Sequence, residues 1–363
     1  MSSDATNLPT PPAAGFDGIV GQSVVIRALQ QAMERDRLHH ALLLAGPEGI
    51  GKATTALVLA QALNCGAGGP RQACGTCVSC GKIARGLHPD VLWVGPDPKS
   101  IRVRQITPRS QSPVPAGQTV TVFVGYTPYE GNRRVVVIDA AHTMNPEAQN
   151  ALLKTLEEPP PSTTLVLVTA APRALLPTVL SRCQELRLSR IGRDALCAYL
   201  ETEHEMPADE ARLRAALTPG SIGKALALDI ESYTGVLEAV VECLRMTQSG
   251  GGGVVAAAET LANLGDGETA TQRAASVLRV ARDVMRDLLV VSTGANADLV
   301  NAEQREAWVA WAAEVDSEQV VAALRAINDG IERFTTGIQP NIKMAFERTL
   351  VQVGESLSPG PAS

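Results

Sequence analysis

Between Phe16 and Leu188, short and uniformly apolar runs alternate with stretches whose apolar positions recur at helical spacing. The runs Ala41–Ala45, Val91–Val94, Val135–Asp139, Leu165–Thr169 and Glu185–Leu188 read as strands, since a strand buried on both faces needs no polar alternation. Strands separated by helices predict a parallel sheet covered on both faces, the α/β class. From about Ser189 the strands stop. A small helical segment follows to Tyr233, punctuated by Pro207 and Pro219-Gly220, and the run Gly250–Gly253 reads as a flexible connection. Beyond it, Val254–Leu264, Thr271–Val291, Ala302–Val315, Ser317–Phe334 and Asn341–Val353 predict packed amphipathic helices. The predicted boundaries are a disordered tail over 1–14, an α/β domain over 15–188, a helical segment over 189–233, an all-α domain over 234–355 and a frayed end over 356–363. One stretch resists this scheme. Ile106–Tyr129 contains Pro108, Pro113, Pro115 and Pro128, and a proline inside a helix costs ~3 kcal/mol. Thr119–Gly125 alternates like a strand, so irregular or hairpin structure is expected there.

Composition narrows the function classes. The chain has 363 residues and a net charge of −6, which argues against a general electrostatic grip on nucleic acid. Aromatics at 3% leave few stacking platforms for single-stranded bases. No apolar run approaches the ~20 residues that span a bilayer, and the first fifteen residues lack the apolar core of a signal peptide. A reducing cytoplasm is therefore expected, where seven cysteines suggest metal or packing before disulfides. Lys82, Arg85, Lys99, Arg102, Arg104 and Arg109 are a local basic enrichment. A solvated face is the preferred reading over a DNA-facing patch, because no aromatics interleave.

Two stretches carry candidate chemistry. Gly46-Pro47-Glu48-Gly49-Ile50-Gly51-Lys52 directly follows a predicted strand and precedes an apolar helical run. In that context glycines let backbone amides curl around phosphates, and Lys52 reaches the β/γ oxygens. The next position should carry the hydroxyl that holds Mg²⁺; here it is Ala53. Thr54 follows, but one step along a helix turns a side chain by about 100°. Asp139 ends the strand Val135–Asp139 as the metal-holding acid, and Thr169 ends Leu165–Thr169. The candidate nucleotide residues are thus Gly46, Gly49, Gly51, Lys52, Thr54, Asp139 and Thr169. ATPases that read Asp-Glu-Ala-His use the Glu to orient water; this chain reads Asp139-Ala140-Ala141-His142. Hydrolysis loses two supports, while ATP or ADP binding stays open against a loop kept only for packing. The second stretch holds Cys65, Cys74, Cys77 and Cys80, spaced C-x₈-C-x₂-C-x₂-C among turn-forming Gly66, Gly68, Gly69, Gly75 and Gly81. Four thiolates suit a closed structural zinc site, with an iron–sulfur cluster as the competitor. Cys183, Cys197 and Cys243 read as small buried hydrophobes.

With Asn150–Pro160 (Asn-Ala-Leu-Leu-Lys-Thr-Leu-Glu-Glu-Pro-Pro) and Leu180-Ser181-Arg182-Cys183, these motifs resemble the bacterial DNA polymerase III clamp-loader ATPases. Val20-Gly21-Gln22 is similar to the family's adenine-side segment, and Asn341–Glu347 to its last collar helix. The resemblance implies an AAA+ core, a helical lid and a helical collar joining γ/τ and δ-type subunits in a hetero-pentameric ring. Such a ring loads the β sliding clamp onto primer–template DNA. It also implies an arginine finger at Arg182, offered in trans to a neighbour. Motor members would carry Thr after the loop lysine, Glu after the strand aspartate and Arg in the lid. This chain has Ala53, Ala140 and Gly223, with Lys224 offset by one, so the resemblance is to the non-motor δ′ type. The alternatives are an active γ/τ-type ATPase and a zinc-dependent nucleic-acid-binding module on a vestigial ATPase fold. Relatives would place an amphipathic helix where Ile106–Tyr129 is proline-rich.

Overall fold

The computed structural model describes residues 8–12, 15–67, 72–108, 119–248, 253–267, 269–335 and 341–358. It divides into two compact units, Met1–Leu226 and Ala227–Ser363.

The first unit is built on five parallel strands: β1 (Ala41–Ala45), β2 (Val91–Val94), β3 (Arg134–Ile138), β4 (Thr163–Thr169) and β5 (Gln184–Arg187), in the order β2-β3-β4-β1-β5. The central strands β1, β3 and β4 are buried at every position. Alternation of side chains then feeds two separate cores. Leu42, Leu44, Val135, Val137, Val166 and Val168 pack on one face, and Leu43, Val136, Ile138, Leu165 and Leu167 on the other. β2 and β5 are the edges; in β5, Leu186 packs on the core while Glu185 and Arg187 pair with each other at 2.8 Å on the outer side. Helices α1 (Ser23–Glu34), α2 (Lys52–Asn64), α3 (Val78–Ala84), α4 (Val103–Ile106), α5 (Val120–Val124), α6 (Pro146–Glu157) and α7 (Pro177–Leu180) surround the sheet. Helices α8 (Arg193–Glu203), α9 (Ala208–Leu217) and α10 (Ile222–Ala227) follow it, with a small core of Ile191, Leu196, Leu200, Ala211, Ala215 and Ala225.

The second unit contains α11 (Ile230–Gln248), α12 (Val254–Ala262), α13 (Ala270–Thr293), α14 (Arg305–Ala312), α15 (Ser317–Thr335) and α16 (Ile342–Leu357). Trp308, Trp311 and Phe346 are fully buried at its centre. Asp287 is buried too, and accepts N–H bonds from Val300 and Asn301 at 2.8 Å beside Arg286. Tyr233, where the sequence reading ends the lid, lies inside α11 and donates to Asn301 Oδ1 at 2.8 Å.

Several expectations are corrected. Thr119–Gly125 contains a helical turn, α5, instead of a strand. Val120, Phe123 and Val124 are buried at helical spacing, and the Arg134 guanidinium donates to the carbonyls of Phe123 and Thr127 just past the turn. Pro113, Pro115 and Arg109 lie outside the described residues, as do Gly68, Gly69 and Gly250–Gly252. The tail is placed over Leu8–Pro12, with Gly15 N–H bonded to the Pro12 carbonyl at 3.1 Å; 1–7 and 13–14 are outside the described residues. Ala302–Val315 is a 3₁₀ turn at Ala302–Gln304 followed by α14. α16 runs on past Val353 because Gly354 and Leu357 are buried, so Ser356 is helical; 359–363 are outside the described residues. Two of the residues in the basic enrichment have acidic partners, Lys82 on Glu130 at 2.8 Å and Arg104 on Asp97.

Candidate functional site

The loop between β1 and α2 turns sharply at two glycines. Gly49 (φ +72°) and Gly51 (φ +94°) sit in the left-handed region, where a side chain costs roughly 1–2 kcal/mol. This delivers Lys52 as the first residue of α2, at the wall of a cavity of about 790 Å³. Gly49, Gly51, Lys52, Thr54, Asp139 and Thr169 all line that cavity. Gly46 does not. Its N–H bonds the Thr169 carbonyl at 3.2 Å, and a Cβ there would meet the Leu188 carbonyl oxygen at 2.4 Å, so it is a packing glycine where β1, β4 and β5 converge. Thr55 is also lost to chemistry: its hydroxyl donates to the Gly51 carbonyl and is fully buried.

The charges in the cavity are held in place but weakened. Lys52 is only 7% exposed, and burial lowers its pKa against the pull of Asp139 and Glu48. Its Nζ donates back to the Pro47 carbonyl of its own loop. Burial raises the pKa of Asp139, opposed by the Ala140 N–H at 2.8 Å, Lys52 and His142. Ala140, directly after Asp139, sits at φ +49°, a left-handed backbone that any residue with a Cβ adopts only under strain. The α10 region closes over the loop. Gly223 N–H bonds the Gly49 carbonyl at 3.0 Å, Ser221 Oγ donates to the Glu48 carbonyl at 3.2 Å, and Lys224 Nζ pairs with Glu48 at 3.4 Å. A Cβ at Gly223 would stand 3.3 Å from Gly49 Cα, so a long side chain there needs the helix to move away.

At the other end of α2 the cysteines converge. The four Sγ atoms lie within 4.8 Å of one another, and Cys65 and Cys77 are 3.9 Å apart. A tetrahedron of Zn–S bonds of ~2.3 Å has edges near ~3.8 Å, so the set fits zinc after small adjustment. N–H groups of Cys77 and Cys80 point at the sulfurs of Cys74 and Cys77 at 3.3 and 3.4 Å. The Cys77 N–H, with bonds from Thr76 and Cys65, lowers the Cys74 thiol to about 6, while burial raises Cys80. The module is fastened to its surroundings through Ser79, whose hydroxyl donates to the Asn64 carbonyl at 2.8 Å and meets His88 at 3.0 Å. Behind it, buried Asp90 accepts three N–H bonds, from Tyr129, Glu130 and Gly131, at 2.7–2.8 Å.

Arg182 lies two residues beyond α7, away from the nucleotide cavity. Its Nη2 pairs with Glu157 Oε1 at 2.6 Å, and Nη1 donates to the Thr178 carbonyl at 2.9 Å and Ser181 Oγ at 3.3 Å. A shallow depression of about 540 Å³ opens there, lined by His39, His40, Glu157, Arg182 and Gln184.

The profile of the family described as "DNA polymerase III, delta subunit" matches residues 21–192. The tau subunit of DNA polymerase III from Escherichia coli (strain K12) is 34% identical over 218 residues, 59% of this chain and 32% of that one. The delta' subunit from Bacillus subtilis (strain 168) is 36% identical over 197 residues, 54% of this chain and 56% of that one. Over residues 21–192, just under half of its length, the chain is similar to bacterial DNA polymerase III clamp-loader subunits. It spans between a third and somewhat over half of these relatives' own lengths. A solved structure of a gamma subunit-related protein from Thermotoga maritima covers 91% of this chain and 98% of its own at 17% identity, with a TM-score of 0.39, an overlap too loose to carry an argument.

Of the seven nucleotide candidates named from the sequence, all but Gly46 line one cavity. Gln22 of the adenine-side segment exchanges two hydrogen bonds with the Ser189 backbone, at 2.7 and 3.1 Å, where the helical segment begins. Other wall residues were missed. His142, 3.4 Å from Thr169 Oγ1, stands in the quoted Asp139–His142 stretch and was legible there. Pro9–Pro12, Tyr199 and His204 also line the cavity, and no local signal marks them.

Proposed function

We propose that this chain is a non-motor, δ′-type subunit of the DNA polymerase III clamp loader, working in the cytoplasm beside γ/τ and δ-type subunits. In that role it helps place the β sliding clamp on primer–template DNA, holds one structural zinc on Cys65, Cys74, Cys77 and Cys80, and offers Arg182 to a neighbouring ATPase. The observation that carries the reading is the nucleotide cavity itself. Ala53 and Ala140 remove the metal hydroxyl and the water-orienting acid, and Gly223 leaves no lid arginine where the backbone touches Gly49. A binding-competent shell without hydrolytic groups suits a scaffold in an ATPase ring.

A γ/τ-type motor remains the second reading, favoured by relatives named tau and gamma at 34% and 33% identity. Hydrolysis separates the two. The isolated chain should turn over no ATP above background, with or without primed DNA, whereas a motor should respond to DNA. For Arg182, the Ala variant should fold, keep zinc and assemble with the motor subunits. It should lower clamp- and DNA-stimulated hydrolysis by the complex, because an arginine in trans is worth about 10³–10⁵ in rate at the site it serves. Arg182→Lys should rescue little, since the planar fork is lost. Normal assembly with ATP hydrolysis and loading at the parent rate would sink the finger assignment.

A further inference from the structure

The Arg182 guanidinium is held by its own chain through both terminal nitrogens. It spans an ion pair to Glu157 on one side and, on the other, the Thr178 carbonyl of α7 and the Ser181 hydroxyl just past it. Glu157 is the final residue of α6, where a carboxylate faces the negative end of the helix and is disfavoured without a cation beside it. His40 already takes up one end carbonyl there, with Nε2 3.0 Å from the Leu156 carbonyl oxygen. Arg182 therefore satisfies an acid that the helix end would otherwise repel. Yet the pair is not sealed: the side chains are 33% and 49% exposed at the rim of an open depression. An exposed pair of this kind is worth about 0–1 kcal/mol, little enough for a stronger anion to displace.

We propose that Glu157 is a positioning residue that holds Arg182 retracted until a neighbour's triphosphate takes the guanidinium from it. The inference rests on the finger reading of Arg182 and adds its regulation. The exchange is one of partners only. The guanidinium leaves one carboxylate oxygen and a helix end for phosphate oxygens carrying more charge. Glu157, left unpaired at its helix end and facing the incoming negative charge, turns into solvent. The cost of releasing it raises the threshold for engagement, so hydrolysis before the ring closes is held down. Once the finger is engaged, Glu157 contributes nothing more.

The test uses the assembled complex with its motor subunits, and compares the parent with Glu157→Gln, Arg182→Ala and the double variant. Glu157→Gln should raise ATP hydrolysis without clamp and DNA by about two- to five-fold, the fold-change equivalent of an exposed pair. The fully stimulated rate should stay within about two-fold, since the pair is already broken there. A merely structural role for Glu157 would lower both rates together. In the double variant the unstimulated rate should fall to that of Arg182→Ala. If Arg182→Ala lowers hydrolysis but Glu157→Gln leaves the unstimulated rate at the parent value, the latch is wrong and the finger stands. If Glu157→Gln raises the rate equally with Ala at position 182, its effect does not pass through Arg182 and the latch is again wrong. If Arg182→Ala assembles and changes nothing, the finger assignment fails and the latch with it; if no complex forms with the motor subunits, the proposed function itself fails.

Discussion

Helix α2 carries a candidate chemical centre at each end, and the two differ in how much of their chemistry they have kept. At its N-terminal end the phosphate loop has its glycines, its lysine and its strand aspartate, while alanines stand at two working positions. At its C-terminal end all four thiols are present and converge. The contrast follows from what holds each shape. A phosphate loop is held by backbone: left-handed glycines, a buried Ile50 and carbonyls tied to Ser221 and Gly223 survive without any catalytic side chain. A tetrathiolate site is held by the metal, and each ligand is useful only while the other three are there. One end can shed its chemistry and keep its form; the other cannot.

The largest effect should come from breaking the intact end. Cys77→Ser should release the metal, reading as loss of about one zinc equivalent by elemental analysis, since structural zinc binding is worth about 10–16 kcal/mol of apparent free energy. Hydrogen exchange should quicken over the described parts of 65–81, with the helices of the second unit unchanged. Less than about half an equivalent in carefully prepared parent protein would undo the zinc assignment.

A smaller, global effect sharpens the comparison from behind the cysteines. Burial pushes the Asp90 carboxyl up, but the N–H bonds of Gly131, Tyr129 and Glu130 and the Arg134 charge outweigh it and hold it below the ordinary 3.8. A depressed carboxyl contributes stability that is fully present above 3.8 and is lost as pH falls through its lowered folded value. Asp90→Asn turns an NH₂ toward backbone donors. It should cost the first unit about 2–3 kcal/mol in denaturant unfolding and flatten the acid limb of its stability profile. An unchanged acid limb would mean that Asp90 does not carry it.

The smallest effects belong to the depleted end. Lys52→Ala should leave clamp loading by the complex nearly intact, if the chain is the non-motor subunit proposed above. Restoring the missing groups should be just as quiet: Ala53→Thr with Ala140→Glu should not bring ATPase activity, with Gly223 still against Gly49 and no lid arginine in its place. Turnover by that variant, or a large loading defect in Lys52→Ala with normal assembly, would collapse the contrast.

Sequence alone settled the sheet and the identity of the candidate groups. Central strands such as Ala41–Ala45 are apolar throughout because both faces are covered, and glycine and cysteine spacings are local geometry that a linear pattern records. Where the structure departed, the cause was a partner distant in the chain. The stretch Thr119–Gly125 alternates like a strand, yet coils because Phe123 is capped and stacked by Arg134, which sits 4.7 Å from its ring. Gly46 fits the phosphate-loop spacing but packs against Leu188. Pro9–Pro12 belong to the cavity wall, although nothing in a proline-rich tail announces it. Above all, Glu157 and Arg182 are 25 positions apart, one the last residue of α6 and the other two residues past α7. Their meeting depends on where the sheet sets α6 and α7. Residue type and short-range spacing fix which groups are present; only the packing of the elements decides which of them can reach each other.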